Sequence, residues 1–156
     1  MSVDDILIAV QSSPVAHAVS KSDHLVGATL QILHVLGLIL FLASLVLVGL
    51  RATGRILVEQ SVAQVAKGTS RLMWTGLVVT AASGTLMFTA TPRLYWYNWA
   101  FGLKMWLLVV AMLLQIVAFR RIASNATGSR TARLIVTACV LCWFGVAMAG
   151  RMIGFV

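Results

Sequence analysis

The sequence predicts an all-α integral membrane protein, a four-transmembrane-helix bundle with a short N-terminal interfacial helix, in a single membrane domain over residues 1–156. Three observations support this prediction. Hydrophobic residues make up 60% of the chain and charged residues only 10%, which lies well outside the soluble globular range. Four stretches are apolar over the ~20 residues that a helix needs to cross the hydrocarbon layer. Basic residues lie in short loops beside these stretches, as in proteins oriented by their positive charges.

The interfacial helix is predicted over residues 3–20. Apolar residues recur there at helical spacing, and Asp4 and Asp5 suit a helix N-terminus. Pro14 is expected to interrupt this helix because it cannot donate a backbone hydrogen bond. The segment has neither a basic start nor a small-residue cleavage site, so a cleaved signal peptide is not expected.

The four membrane spans are predicted at about residues 25–50, 72–90, 100–119 and 134–153. Small side chains cluster in the second span and would let other helices approach closely, so this span is expected at the centre of the bundle. These residues are Gly76, Ala81, Ala82, Ser83 and Gly84. The segment between the second and third spans is expected to form an aromatic belt at one membrane interface, through Tyr95, Trp96, Tyr97 and Trp99.

The charge distribution predicts how the chain is oriented. The loops over residues 51–71 and 120–133 each hold four basic residues, whereas the opposite side holds Lys21, Arg93 and Arg151. The positive-inside rule then places both termini on the outer, periplasmic side of a bacterial inner membrane. The net charge of +8 is spread along loops instead of gathered on one face, so the expected partner is the lipid bilayer and nucleic acid is not expected.

His34 is the leading candidate for a cofactor or metal ligand. It lies ~13 Å along the first span, and an ionisable side chain at such depth usually marks an ion path, a proton relay or a cofactor. A neutral imidazole is a common ligand of haem iron and of copper. The alternative is a histidine that only forms a hydrogen bond to a neighbouring helix.

Other candidates would complete such a site. Gly37 lies on nearly the same helix face as His34 and could leave flat space for a porphyrin or a quinone, although glycines also serve helix packing. Lys104, Arg151 and Arg93 are expected near the outer side, where they could neutralise haem propionates or another anionic head group. The alternative for these cations is that they extend to the membrane interface.

A second axial ligand could come from several places. Met148, Met105 and Met87 reach a depth similar to that of His34 in an antiparallel bundle, and His24 is a further candidate for metal binding. His24 and His34 cannot bind one iron from one continuous helix, because ten residues separate them by ~15 Å. They could instead serve two haems, or one haem across a dimer interface. Cys139 and Cys142 have the CxxC spacing that is typical of redox or metal pairs in soluble proteins. Within a membrane span we interpret them as packing residues.

Several apolar segments resemble a group of small bacterial four-helix membrane proteins of unassigned function, distantly similar to the membrane domain of copper-resistance D-type proteins. The segments cover residues 32–54, 72–88, 97–115 and 149–155. The resemblance implies that His34 matches the first-span histidine of that group, Lys104 its third-span lysine and Arg151 its terminal arginine. The chain departs from the pattern with Gly49 in place of an acidic residue and Arg120 in place of a histidine.

Three functions follow from these residues. The first is a b-type haem electron-transfer subunit that passes electrons between an outer-side donor and quinone or a partner complex, as a homodimer or within a larger membrane redox complex. Enzyme activity would then belong to the partner, because the chain offers no site for substrate chemistry. The second is a copper-handling membrane protein, with His34 and methionines as ligands. The third is a cofactor-free structural accessory subunit of a larger membrane complex.

Overall fold

The computed structural model describes residues 2–21, 24–123 and 130–155, and within these ranges the chain forms seven helices and no strand. The helices are α1 (Val3–Gln11), α2 (Pro14–Lys21), α3 (His24–Ala52), α4 (Val62–Ala90), α5 (Pro92–Trp96), α6 (Trp99–Ala123) and α7 (Arg130–Met152). Helices α3, α4, α6 and α7 are each long and apolar enough to cross a membrane. The predicted all-α membrane fold is therefore confirmed.

The N-terminal segment forms two helices, and the break between them lies next to Pro14, where an interruption was predicted. Ser2 caps α1 through a reciprocal pair of hydrogen bonds with Asp5: the Asp5 amide donates to Ser2 Oγ at 3.2 Å and the Ser2 amide donates to Asp5 Oδ2 at 2.7 Å. The second helix starts at Pro14, a favourable first position because its missing N–H would have no helical partner there. Helix α1 packs on α5 and α2 packs on α4, which buries Leu7 and Ala16.

The second span is longer than its hydropathy predicts. Helix α4 begins at Val62, where the sequence predicts loop as far as residue 71, so Lys67 and Arg71 lie on the helix. Ser61 and Gln64 form a capping box, in which the Gln64 amide donates to Ser61 Oγ at 3.1 Å. The serine three residues before a glutamine is a local signal for this start that an apolar-window reading overlooks.

The four long helices form two antiparallel pairs. Helix α3 packs along α4, α6 packs along α7, and α3 also contacts α7. Helix α4, expected at the centre, contacts α6 only weakly, and it is α3 that contacts two other long helices extensively. The helices α1, α2 and α5 and the C-terminal residues share one end of the bundle, here called the α5 end. At this end Asn98 caps α6 by accepting from the Ala100 amide at 2.9 Å, and its Nδ2 donates to the Ile153 carbonyl at 3.3 Å.

The core is built from buried side chains of all four long helices. Its central contact is between Phe41 of α3 and Trp143 of α7, whose rings meet edge to face with centroids 4.5 Å apart. A second buried cluster around Val48, Ala118 and Val136 lies farther from the α5 end. Large apolar side chains cover the outside of the bundle, as expected for helices surrounded by lipid.

Candidate functional site

The imidazole of His34 is held against α4. His34 Nδ1 lies 3.2 Å from Ser83 Oγ, and the Ser83 hydroxyl also lies 2.6 Å from the carbonyl oxygen of Val79. A hydroxyl carries one proton, and the contact to the Val79 carbonyl, which is shorter than the one to His34, favours the proton there. Ser83 must then accept from His34, so we infer that Nδ1 carries the imidazole proton and Nε2 carries the free lone pair.

Close contact between two helix backbones brings His34 to this position. A Cβ on Gly76 would lie 2.6 Å from both the Gly37 carbonyl oxygen and the Phe41 amide nitrogen, so only glycine fits at this crossing. Thr80 reinforces the contact by donating from Oγ1 to the His34 carbonyl at 3.4 Å. The small residues of α4 thus set the distance at which its hydroxyl groups meet α3.

The space beside the imidazole is filled on the α4 side. A Cβ on Gly84 would lie 2.8 Å from His34 Cε1, so the edge of the ring occupies the place of a missing side chain. A Cβ on Gly37 would lie 2.7 Å from Thr80 Oγ1 and 2.9 Å from the Gly76 carbonyl oxygen. The flat space expected beside Gly37 is therefore occupied by α4, and a planar group has no room between α3 and α4 at this level.

The three basic candidates have different surroundings. Lys104 is half-buried, with Nζ 3.5 Å from the position of a Cβ on Gly150, and it is close enough to His34 for the two groups to interact electrostatically. Within the described ranges no carboxylate pairs with Lys104. Arg93 instead lies 3.6 Å from Asp4, and the guanidinium of Arg151 lies over a ring at the C-terminus. Of the three, Lys104 alone is drawn into the bundle.

The candidates for a second ligand are not gathered around the imidazole. Met148 is 65% exposed and Met105 is 43% exposed, so both lie on the outer surface of the bundle. Met87 is half-buried and lies one turn beyond Ser83 on the same face of α4. His24 begins α3, but its side chain lies outside the part that the structure describes. Because α3 is continuous, His24 and His34 of one chain cannot bind one iron.

A second polar contact lies deeper in the bundle and was missed by the sequence reasoning. Trp143 Nε1 of α7 donates to Gln115 Oε1 of α6 at 2.7 Å, and both side chains are buried. Cys139 is buried in the same core and Cys142 Sγ donates to a backbone carbonyl at 3.5 Å. Both thiols are free and packed among apolar side chains, which agrees with a packing role. A glutamine and a tryptophan facing each other from antiparallel spans were the available signal.

At the α5 end, Arg93 and Tyr97 contact Asp4 of the N-terminal helix, and these three residues are here called the Asp4 latch. The Tyr97 hydroxyl donates to Asp4 Oδ1 at 3.0 Å, and this hydrogen bond raises the pKa of Tyr97. Beneath it, burial raises the pKa of Tyr95, whose ring packs on Phe101 with centroids 5.7 Å apart. The latch ties α1 to α5 over the end of the bundle nearest His34.

The sequence predicted His34 and Lys104 as site residues, both of which lie partly buried in the bundle, but not their surroundings. Ser83 and Gly84 were noted only as small residues, and Thr80 was not noted. A serine and a glycine side by side, opposite a histidine in the antiparallel partner, could have indicated the contact. Among the described residues, no group of three or more His, Cys, Asp or Glu side chains could hold a metal ion.

Comparison with known proteins gives one match. The model of a protein family described as a family of unknown function (DUF6644) matches residues 12–156, which is nearly the whole chain. No curated protein and no solved structure matches the chain.

Proposed function

Since the chain belongs to DUF6644, a family of unknown function, we propose its function from the geometry: a membrane-embedded b-type haem electron-transfer subunit in which His34 Nε2 is an axial ligand. One observation carries this proposal. His34 Nδ1 is engaged by Ser83, whose own proton goes to a backbone carbonyl, so the unprotonated Nε2 is available for coordination.

This arrangement is the one that ligating histidines commonly use. Such a histidine donates its other ring N–H to a protein group, which fixes the tautomer and the orientation of the ring. Ser83 does this without bringing a second charge into the membrane, and Gly84 makes room for the edge of the ring. A histidine whose role was only to join two helices would be expected to use both ring nitrogens in hydrogen bonds. His34 Nε2, by contrast, has no partner among the described residues.

The haem would lie away from the close backbone contact between α3 and α4. We place it between α4 and α6, because these two helices touch only weakly. Lys104 would balance one propionate, with its aliphatic chain lying against Gly150. Met87 is the internal candidate for a second ligand. When bound, haem would supply a one-electron couple, while the residues named here orient the imidazole and balance charge.

Electrons would pass between a donor at the α5 end and quinone or a partner complex, and any enzyme activity would belong to that partner. The α5 end would face the periplasm of a bacterial inner membrane, because the basic loops lie at the other end. We also propose a distant relation to the copper-resistance D-type membrane domain.

Absorption spectra of the detergent-purified protein, oxidised and then reduced, test the proposal. The wild-type protein should show a reducible b-type haem spectrum, and His34→Ala should lose it. Ser83→Ala should weaken haem retention about 10- to 100-fold, since it removes the group that orients the ligand. His17→Ala, an exposed histidine of α2, is the matched control and should retain the full spectrum. Full haem in His34→Ala, or copper without a haem spectrum in the wild type, contradicts the proposal.

A further inference from the structure

A cluster of three aromatic rings joins α4, α5 and α6 at the α5 end. The rings of Phe88 and Phe101 are stacked, with centroids 5.5 Å apart and planes 14° apart. The centroid of the Tyr95 ring lies 6.1 Å from that of Phe88 and 5.7 Å from that of Phe101. Because α4 and α6 otherwise touch only weakly, these rings are a principal link between the two helices at this end.

The ring cluster lies between the candidate ligand and the end of the bundle. Gly84, whose missing side chain leaves room for the edge of the His34 ring, precedes Phe88 by ~6 Å along α4. On the antiparallel helix α6, Lys104 follows Phe101 by ~4.5 Å. Since the two phenylalanine rings are stacked, Lys104 lies at a depth between the ring cluster and His34.

Two partly buried polar side chains of this region have no partner. The side chains of Thr89 and Asn98 donate to backbone carbonyls at 2.8 Å and 3.3 Å. The structure describes all of residues 84–104, and in this range only Tyr95 and Lys104 are partly buried, polar and without a side-chain hydrogen bond or ion pair. The hydroxyl of the first and the ammonium of the second are therefore available to a ligand.

The exposed polar groups of the α5 end already have contacts of their own. Arg93 and Tyr97 both contact Asp4, and the guanidinium of Arg151 lies 4.9 Å from the centroid of an aromatic ring. Arg93, Tyr97 and Arg151 lie on the surface of the bundle, whereas the ring of Tyr95 packs on α4 and α6. Tyr95 is therefore the best placed of these groups to reach a ligand between α4 and α6.

We propose that the Tyr95 hydroxyl donates a hydrogen bond to the second propionate of the bound haem, while Lys104 balances the first. This inference rests on the proposed function and adds a positioning residue to it. Haem b carries two propionates, and a carboxylate in apolar surroundings needs a cation or a hydrogen-bond donor. A phenol supplies a donor without bringing another charge into the membrane. Packing against two other rings leaves the Tyr95 ring little freedom to turn away.

Binding of haem b and of its dimethyl ester to the full-length protein, purified in detergent and freed of haem, tests the contact. The ester has the same porphyrin but no carboxylate. Tyr95→Phe should weaken binding of haem b about 10-fold, because it removes a hydrogen bond to a charged group, and should leave binding of the ester unchanged. Tyr97→Phe, which alters an exposed tyrosine two residues away, is the matched control and should bind both ligands as the wild type does.

The ester separates positioning of the ligand from packing of the protein. Tyr95→Phe keeps the three-ring cluster, so a purely structural role would change binding of the two ligands equally or not at all, and either result overturns the inference. The reduction potential should also fall in Tyr95→Phe with haem b, since the propionate loses a donor that offsets its negative charge, and should stay constant with the ester. Wild-type protein that binds neither ligand would instead contradict the haem proposal itself.

Discussion

The two helix pairs of this bundle are held together in different ways. Helices α3 and α4 touch through their backbones at Gly37 and Gly76, where an added carbon would lie 2.9 Å and 2.6 Å, respectively, from main-chain atoms. Helices α6 and α7 are separated by side chains, and a Cβ on Gly145 would meet Leu107 at an ordinary 3.5 Å. A buried hydrogen bond between Gln115 and Trp143 joins them instead.

The difference shows which helix pair has the more tightly fixed spacing. Backbone contact leaves no freedom in the spacing of α3 and α4, and the candidate ligand His34 is positioned by that pair. Side-chain packing between α6 and α7 can adjust by changes of rotamer, which suits a pair that supplies the flexible Lys104. The candidate site therefore combines His34, held by the rigidly spaced helices α3 and α4, with Lys104, which comes from a helix pair whose side chains can adjust.

Matched glycine substitutions should give the largest contrast between the pairs. Gly76→Ala should destabilise the protein by about 1–3 kcal/mol or more, because the added carbon meets backbone atoms that cannot rotate away. Gly145→Ala should be neutral or slightly stabilising, since its carbon has room and alanine favours the helix. Reversible unfolding in detergent measures both. Equal losses would mean that the two pairs are equally tight.

A double-mutant cycle on Gln115 and Trp143 should give the next largest effect. Gln115→Leu leaves the indole N–H without its acceptor, and Trp143→Phe leaves the amide oxygen without its donor. The coupling energy between the two substitutions should be about 1 kcal/mol, as for other hydrogen bonds between membrane helices. The same unfolding measurement gives the coupling from the four proteins of the cycle. Strict additivity would show that the contact contributes no specificity to the α6 and α7 pair.

Gly84→Ala should have a smaller effect on stability and a larger one on the imidazole. The added carbon would lie 2.8 Å from His34 Cε1, and the ring can turn away at a cost of about 1 kcal/mol. Gly102→Ala, where nothing lies within 4 Å, is the control. Nuclear magnetic resonance of labelled histidine should show a changed His34 environment only in Gly84→Ala. An unchanged signal would contradict the contact between ring and glycine.

The Asp4 latch should show the smallest effect and a defined pH dependence. Because the hydrogen bond to Asp4 raises the pKa of Tyr97, the bond is fully present below the ordinary tyrosine pKa of about 10 and is lost as the pH rises through the raised value. Asp4→Asn should lower the pKa of Tyr97. Ultraviolet titration in a Tyr95→Phe background isolates Tyr97, since the chain has two tyrosines. A pKa unaffected by Asp4→Asn would show that the latch does not form.

Much of the fold could be read from local signals, and the site could be read in part. Hydropathy identified the spans, Pro14 marked the break before α2, and the isolated imidazole pointed to His34. The early start of α4 was also encoded locally, in the capping box at Ser61. The partner of His34 could not be found in this way, because Ser83 lies 49 positions away and many antiparallel registers would satisfy the same apolar pattern.

By itself the sequence determined that the chain forms apolar helices long enough to span a bilayer, because each backbone group in lipid must be satisfied within its own helix. It also determined which few polar side chains those helices carry. The tertiary structure alone decided that Gly76 meets Gly37, that Ser83 therefore reaches His34, and that Lys104 turns inward while Arg93 and Arg151 do not. Lipid is as apolar as the helix surfaces, so hydropathy does not rank alternative pairings. Close packing and a small number of hydrogen bonds select among them.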